Sequence, residues 1–153
     1  MSDDLSAIEP WISGLIDRLS AGERRKLGMK LGRLLRKTNA ARIARNVDPD
    51  GAAMAPRKKR EGSRSNIRRK MFPKIRLARA LKIRATGDGV AVEFANPATA
   101  RTAAVHHFGE VGFVGKTKRG RTIRTRYTAR RLLGFGAQDI EMITDEVLAH
   151  LTE

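Results

Sequence analysis

Residues 21–45 read AGERRKLGMKLGRLLRKTNAARIAR, and the rest of the chain can be organised around this stretch. Large apolar side chains recur in it at three- and four-residue steps, which is typical of one buried face of an α-helix. The residues predicted to face inward are Leu27, Leu31, Leu34, Leu35, Ala41 and Ile43. Ser20 and Glu23 fit a capping box at its start, and Asp48-Pro49-Asp50-Gly51 is a turn signal after its end. We therefore predict a helix over about 21–45.

A second amphipathic pattern precedes this helix. Seven large apolar residues between Leu5 and Leu19 recur at helical spacing, with Pro10 either in the first turn or at a kink. Because only one or two residues separate the two patterns, we predict an N-terminal helical hairpin over about 5–45.

Short strands and helices alternate in the following part of the chain. The turn signal Gly87-Asp88-Gly89 precedes a run rich in β-branched residues, which predicts a β-hairpin over about 81–95. Residues 71–81 indicate a short helix followed by a strand. Asn96-Pro97 is typical of a helix start, and Gly109 of its end.

The last part of the chain predicts a second hairpin and a terminal helix. Residues 110–126 contain three glycines and six bases, which indicates a looser hairpin with a mobile tip. Apolar residues from Ile140 onward recur at helical spacing, with Asp139 favourably placed at the helix N-terminus. We predict one α+β domain over 1–153, with the helical hairpin and the C-terminal amphipathic helix packed on a small antiparallel sheet. Its mixed α+β body covers about 71–153.

Composition excludes several classes of protein. The chain has 153 residues, a formal net charge of +16 and no cysteine. Disulfide scaffolds, thiol nucleophiles, iron–sulfur clusters and cysteine-rich zinc modules all require cysteine. The chain opens with Met1-Ser2-Asp3-Asp4 and has no run of about 18 apolar residues, so we expect neither a signal peptide nor a membrane contact.

Positive charge is concentrated in the middle of the chain. Residues 24–130 hold 30 bases and six acids, whereas 1–23 and 131–153 each hold five acids and one arginine. Residues 57–70 hold eight bases with Ile67 as the only large apolar residue, which predicts a basic flexible arm. The residues predicted to contact a partner or DNA are Arg57, Lys58, Lys59, Arg60, Arg68, Arg69 and Lys70 in the arm, and Lys116, Lys118, Arg119 and Arg121 in the second hairpin.

Motifs of enzyme chemistry are weak. Residues 112–117 read GFVGKT, but Glu110 stands where a phosphate-binding loop requires glycine. His106 and His107 are neighbours, so on a helix they point about 100° apart, which favours packing or hydrogen bonding over a shared metal. No spacing of carboxylates predicts a catalytic pair. We expect no enzyme activity, no catalytic, cofactor-binding or metal-binding residues, and no cofactor.

The order of several short motifs resembles the phage virion morphogenesis family. No single motif is specific, but the ordered set extends from about residue 5 to 151. The set is Arg42-Ile43-Ala44-Arg45, Asp48-Pro49-Asp50-Gly51, Ala55-Pro56-Arg57-Lys58, Met71-Phe72-Pro73-Lys74-Ile75-Arg76, Val105-His106-His107-Phe108-Gly109 and Ala129-Arg130-Arg131-Leu132-Leu133-Gly134-Phe135.

This resemblance implies a non-enzymatic structural protein that completes the head-proximal end of a phage tail and enables stable head–tail joining. It implies a homo-oligomeric ring, with a hexamer favoured, and partners among the tail tube and sheath terminator and the neck or connector proteins. The expected location is the tail–neck junction of the virion, and the host cytoplasm during assembly. The alternative is a basic nucleic-acid-binding module, with non-specific contact to genomic DNA, because charge alone does not identify the polyanion.

Overall fold

The computed structural model describes residues 14, 16–17, 19–58 and 71–152. Its helices are α1 (Ala21–Arg45), α2 (Pro97–Phe108) and α3 (Ala137–Thr152), and its strands are β1 (Leu81–Ala85), β2 (Val90–Phe94), β3 (Val111–Lys116) and β4 (Thr122–Arg126). The predicted α+β class is confirmed. The predicted first helix, and with it the helical hairpin, lies almost entirely outside the described residues, as does the arm beyond Lys58.

Helix α1 begins and ends where its caps predict. The Ser20 hydroxyl accepts a hydrogen bond from the Glu23 backbone N–H at 3.3 Å, which is half of a capping box. The Glu23 carboxylate pairs with Lys26 at 2.5 Å. Asn46 follows the helix in the left-handed conformation, with φ 59°, and Gly51 at φ 88° completes the predicted turn.

Helix α1 packs closely on the first hairpin. Strands β1 and β2 pair antiparallel, from Leu81 opposite Phe94 to Ala85 opposite Val90. Gly28 and Gly32 are buried on the face of α1 that meets these strands, and a Cβ on Gly32 would overlap Ile83 Cγ2. The absence of side chains at these positions therefore lets the helix approach the sheet.

The strands form two sheets, which corrects the prediction of one. Strands β3 and β4 pair only with each other, with a bulge at Val114. Helix α2 separates them in the chain from the first hairpin. Gly112 lies on the inward face of β3, where a Cβ would overlap the side chains of Val105 and Tyr127. The second hairpin therefore packs against α2 and the segment after β4 and not beside the first sheet.

Two further predictions need correction. Helix α3 packs mainly against α1 rather than on a sheet, because ion pairs such as Arg42–Asp139 and Lys30–Glu146 join the two helices. Residues 73–80 form successive turns rather than a short helix.

The apolar core lies where α1 and α2 meet two loop segments. Its buried residues are Ile43, Met54, Ala103 and Leu132, with Phe72, Ile75, Phe94 and Leu133 packed against them. Within the described part of the chain, no helix is both long and apolar enough to cross a membrane.

Candidate functional site

Arg130 anchors the residues that precede the predicted basic arm. Its guanidinium donates hydrogen bonds to the carbonyls of Ala55 at 2.8 Å, Pro56 at 2.9 Å and Thr128 at 3.0 Å. Arg130 is only 5% exposed, and burial lowers the pKa of its guanidinium. Backbone carbonyls supply the acceptors that a buried cation requires. The next residues, Arg57 and Lys58, are exposed.

The residues that follow the predicted arm are held beside the same arginine. The Phe72 ring meets the His106 ring edge-on with centroids 4.9 Å apart, and His106 meets Tyr127 at 4.5 Å. The Arg130 N–H donates to the His106 carbonyl at 2.7 Å. The residues on both sides of the predicted arm are therefore anchored at the end of α2 and the segment after β4.

The two neighbouring histidines make packing and hydrogen-bond contacts within the fold. Burial, and then the positive charge of Arg130, lowers the pKa of His106; burial, and then Arg131, lowers the pKa of His107. His107 Nδ1 accepts a hydrogen bond from the Leu132 N–H at 3.2 Å. The prediction of packing and hydrogen-bonding roles is confirmed. Among the residues described, no group of three His, Asp or Glu side chains could hold a metal ion.

The β3–β4 hairpin starts from the same region and carries the second set of predicted bases. At its base, the Tyr127 N–H donates to the Glu110 carbonyl at 3.0 Å. Its tip, predicted to be mobile, is a hydrogen-bonded turn in which the Thr117 N–H donates to the Arg121 carbonyl at 2.8 Å and Gly120 has φ 79°. The predicted contact residues of this hairpin are all exposed: Lys116, Lys118, Arg119 and Arg121.

The stretch GFVGKT lies along β3 and enters this turn, with no helix after it. A phosphate-binding loop requires a helix N-terminus at that point. The interpretation of the stretch as part of a basic hairpin is therefore confirmed.

The structure thus brings the base of the arm and the base of the second hairpin together. Of the predicted arm residues, Arg57 and Lys58 are described and exposed. The others lie outside the described residues: Lys59, Arg60, Arg68, Arg69 and Lys70.

Two further exposed arginines lie on β4 and are not among the predicted contact residues. Arg124 and Arg126 are exposed and face the same side of the hairpin, since successive strand residues alternate between faces. The alternating sequence TIRTR at 122–126 contained this signal.

Two comparisons with known proteins point to the same family. The model of the phage virion morphogenesis family matches residues 3–152. The chain is 34% identical over 151 residues to tail completion protein S of Escherichia phage P2, covering 97% of this chain and 98% of that protein. No solved structure matches the chain significantly.

Proposed function

The chain belongs to the phage virion morphogenesis family, and from this premise we propose that it completes the head-proximal end of a phage tail and makes the tail competent to join a head. The observation that carries the proposal is the similarity to tail completion protein S along almost the full length of both chains. We assign the protein a structural role, since His106, His107 and the buried Asp139 are each engaged in contacts that hold the fold.

In this proposal the protein acts as a ring, with a hexamer favoured, at the tail–neck junction. A ring of identical subunits needs one surface that complements a different surface of the next subunit. The acidic terminal helix and the basic middle of the chain supply two such surfaces. The tail tube and sheath terminator lie on one side of the ring, and the neck or connector proteins on the other.

An order-of-addition experiment tests this function. A phage lacking this gene is grown, and its separated heads and tails are mixed after one of them has been incubated with purified protein and washed. Tails treated first should join heads and restore the plaque titre, whereas heads treated first should not. Equal rescue from treated heads would contradict a role in finishing the tail.

A second candidate function, non-specific DNA binding, is favoured by the exposed bases of the second hairpin. If these residues neutralised phosphates, log affinity for duplex DNA would fall with log salt with a slope of about −0.9 per phosphate contacted. We propose that such binding occurs at low salt but is incidental to assembly. Variants that join heads and tails normally but fail to retain or eject DNA would make it the working role.

A further inference from the structure

The outward side of the β3–β4 hairpin is an exposed surface that combines apolar and cationic side chains. Val111 lies opposite Arg126 and Phe113 lies opposite Arg124 in the strand register. Paired residues share one face of a sheet, so these four side chains form a single patch, here named the hairpin face. All four residues are exposed, Phe113 by 61%.

Neither arginine of the hairpin face is neutralised within the described residues. The structure gives Arg124 and Arg126 no ion pair and no side-chain hydrogen bond there. The β3–β4 hairpin from Val111 to Arg126 contains six bases and no acid. The patch is thus both apolar and positively charged, a combination that fits an amphipathic acidic surface.

Helix α3 has an exposed side of the complementary kind. Ile140, Thr144 and Leu148 are four residues apart, which places them in one row along the helix. Ile140 is 58% and Leu148 56% exposed. Glu141 and Asp145 are exposed beside this row. We name these five residues the α3 face.

The carboxylates of the α3 face differ in their ion pairing from the other described carboxylates of the same helix. Asp139 pairs with Arg42 and Glu146 with Lys30, and both of these pairs hold α3 on α1. Glu141 and Asp145 form no ion pair within the described part of the chain. Their charges are therefore available to a partner.

We propose that the hairpin face of one copy of this protein docks on the α3 face of the next copy. The inference rests on the ring of the proposed function and names its subunit interface. In it, Arg124 and Arg126 pair with Glu141 and Asp145, while Phe113 lies over Thr144, between Ile140 and Leu148.

The spacing of charges on the two faces matches. Two residues along a strand span about 7 Å, and four residues along a helix about 6 Å. The two cations can therefore meet the two anions at the same time. An aromatic side chain at the centre, rimmed by charge pairs, is the usual arrangement of a specific interface.

The charges also determine that the contact is head-to-tail. Two hairpin faces carry like charge and repel each other, as do two α3 faces. Both faces are exposed in the same chain, so they do not cover each other. Each copy therefore presents both halves of the interface to different neighbours, and the resulting contact closes into a ring when its rotation permits.

Cysteine crosslinking tests this interface directly, because the chain has no native cysteine. Phe113→Cys and Thr144→Cys are combined in one protein, which is oxidised mildly in solution and on assembled tails. We expect a ladder of bands on a non-reducing gel, ending at the number of subunits in the ring. Either single variant should give only a monomer band on this gel. An equal mixture of the two should give no band larger than a dimer. A double variant with Asp88→Cys, at the turn of the first hairpin, in place of Phe113→Cys is the control and should give no ladder.

Charge reversal gives a second, independent readout. Arg124→Glu with Arg126→Glu, or Glu141→Arg with Asp145→Arg, should reduce the oligomer to monomer in sedimentation, and the fourfold variant should recover it. Circular dichroism checks that each variant folds.

Several results would overturn the interface. They are dimers from Phe113→Cys alone, a crosslink from Phe113→Cys to a different tail protein, or loss of DNA binding in the arginine variant with its oligomer intact. Tails that are completed by the double-cysteine protein but give no ladder would also overturn it, while leaving the proposed function standing. Failure of the wild-type protein to complete tails would instead overturn the function.

Discussion

The ion pair between Arg42 and Asp139 joins the two longest helices of the described chain at one buried point. The Asp139 side chain is 1% exposed, accepts from Arg42 at 2.5 Å, and also accepts from the Gly136 N–H at 2.8 Å. Arg42 donates in addition to the Gly134 carbonyl at 2.7 Å. Removing one partner leaves a buried charge without compensation.

We expect Asp139→Asn to lower the free energy of unfolding by about 3–5 kcal/mol, because it leaves the Arg42 guanidinium unneutralised. Urea denaturation measures the loss. The control is Asp88→Asn in the exposed turn of the first hairpin, outside the proposed interface, which should change stability by no more than about 0.5 kcal/mol. Equal effects from the two variants would contradict a structural role for this pair.

The same carboxylate makes stability depend on pH. Burial alone would raise the pKa of Asp139, but the hydrogen bond from Gly136 and the interaction with Arg42 outweigh it and lower the pKa. A carboxyl whose pKa is lowered by folding stabilises the fold above its unfolded pKa and loses that contribution as pH falls through its folded pKa. Between about pH 5 and pH 1, the wild type should therefore lose more stability than Asp139→Asn. Parallel pH profiles in denaturant titrations would contradict this.

Replacing two glycines of α1 with alanine should change the stability of the protein in opposite directions. A Cβ on Gly32 would overlap Ile83 and lie 3.0 Å from Val90 Cγ2, whereas a Cβ on Gly28 would make ordinary contacts of 3.4–3.5 Å with Ala85 and Val90. We expect Gly32→Ala to destabilise the protein by roughly 1–3 kcal/mol. Gly28→Ala should stabilise it by about 0.4–1 kcal/mol through the unfolded chain. Thermal unfolding of the two variants checks the sign of each change, and stabilisation by Gly32→Ala would show that the helix and sheet are less closely packed.

At the level of residues, sequence periodicity predicted the burial of large side chains better than it predicted the close approach of one element to another. Leu31, Leu35 and Ile43 are buried as predicted, whereas Ala41 is exposed. The burial of Gly28 and Gly32 was not predicted, because a pattern of apolar residues does not show where a strand packs closely on a helix. Asp139 was placed at a helix start, but its partner lies 97 residues away, beyond the reach of spacing arguments.

Secondary-structure elements were predictable where their signals are local. The bounds of α1, the caps of α2 at Asn96 and Gly109, and both hairpins follow from capping and turn residues in the sequence. The separation of the hairpins into two sheets depends on long-range packing. The contact of Arg130 with the residues before the arm also depends on long-range packing, since its guanidinium donates to the carbonyl of Ala55, 75 residues away in the chain.

The arm gives a prediction at the level of elements. Replacing Arg57, Lys58, Lys59 and Arg60 with serine should leave the fold intact, because the solvated charges expected of a flexible arm contribute little to stability. We expect tails made with this variant to fail to join heads, since we propose that the arm docks on acidic surfaces of neighbouring tail or neck subunits. Electron microscopy counts the joined particles.

The control variant removes the same charge elsewhere on the surface, with serine at Lys74, Arg79, Lys82 and Arg101. It should join heads normally. If both variants join heads and only the arm variant loses packaged DNA, the docking role of the arm is wrong.

At the scale of the whole molecule, charge separates the chain into a basic middle and acidic ends, which the sequence alone made visible. The structure adds that the exposed acids of α3 and the exposed arginines of β4 belong to different faces. A subunit with two complementary faces is suited to repeat around an axis, such as that of a tail tube.

Imaging of tails from a phage that lacks this gene tests the role of the protein in tail completion. We expect tails with an unfinished head-proximal end that lack one ring of density there, together with full heads that remain unjoined. Purified protein should restore both the ring and the joined particles. Deletion tails whose head-proximal end is indistinguishable from that of wild-type tails would contradict the proposal that this protein completes them.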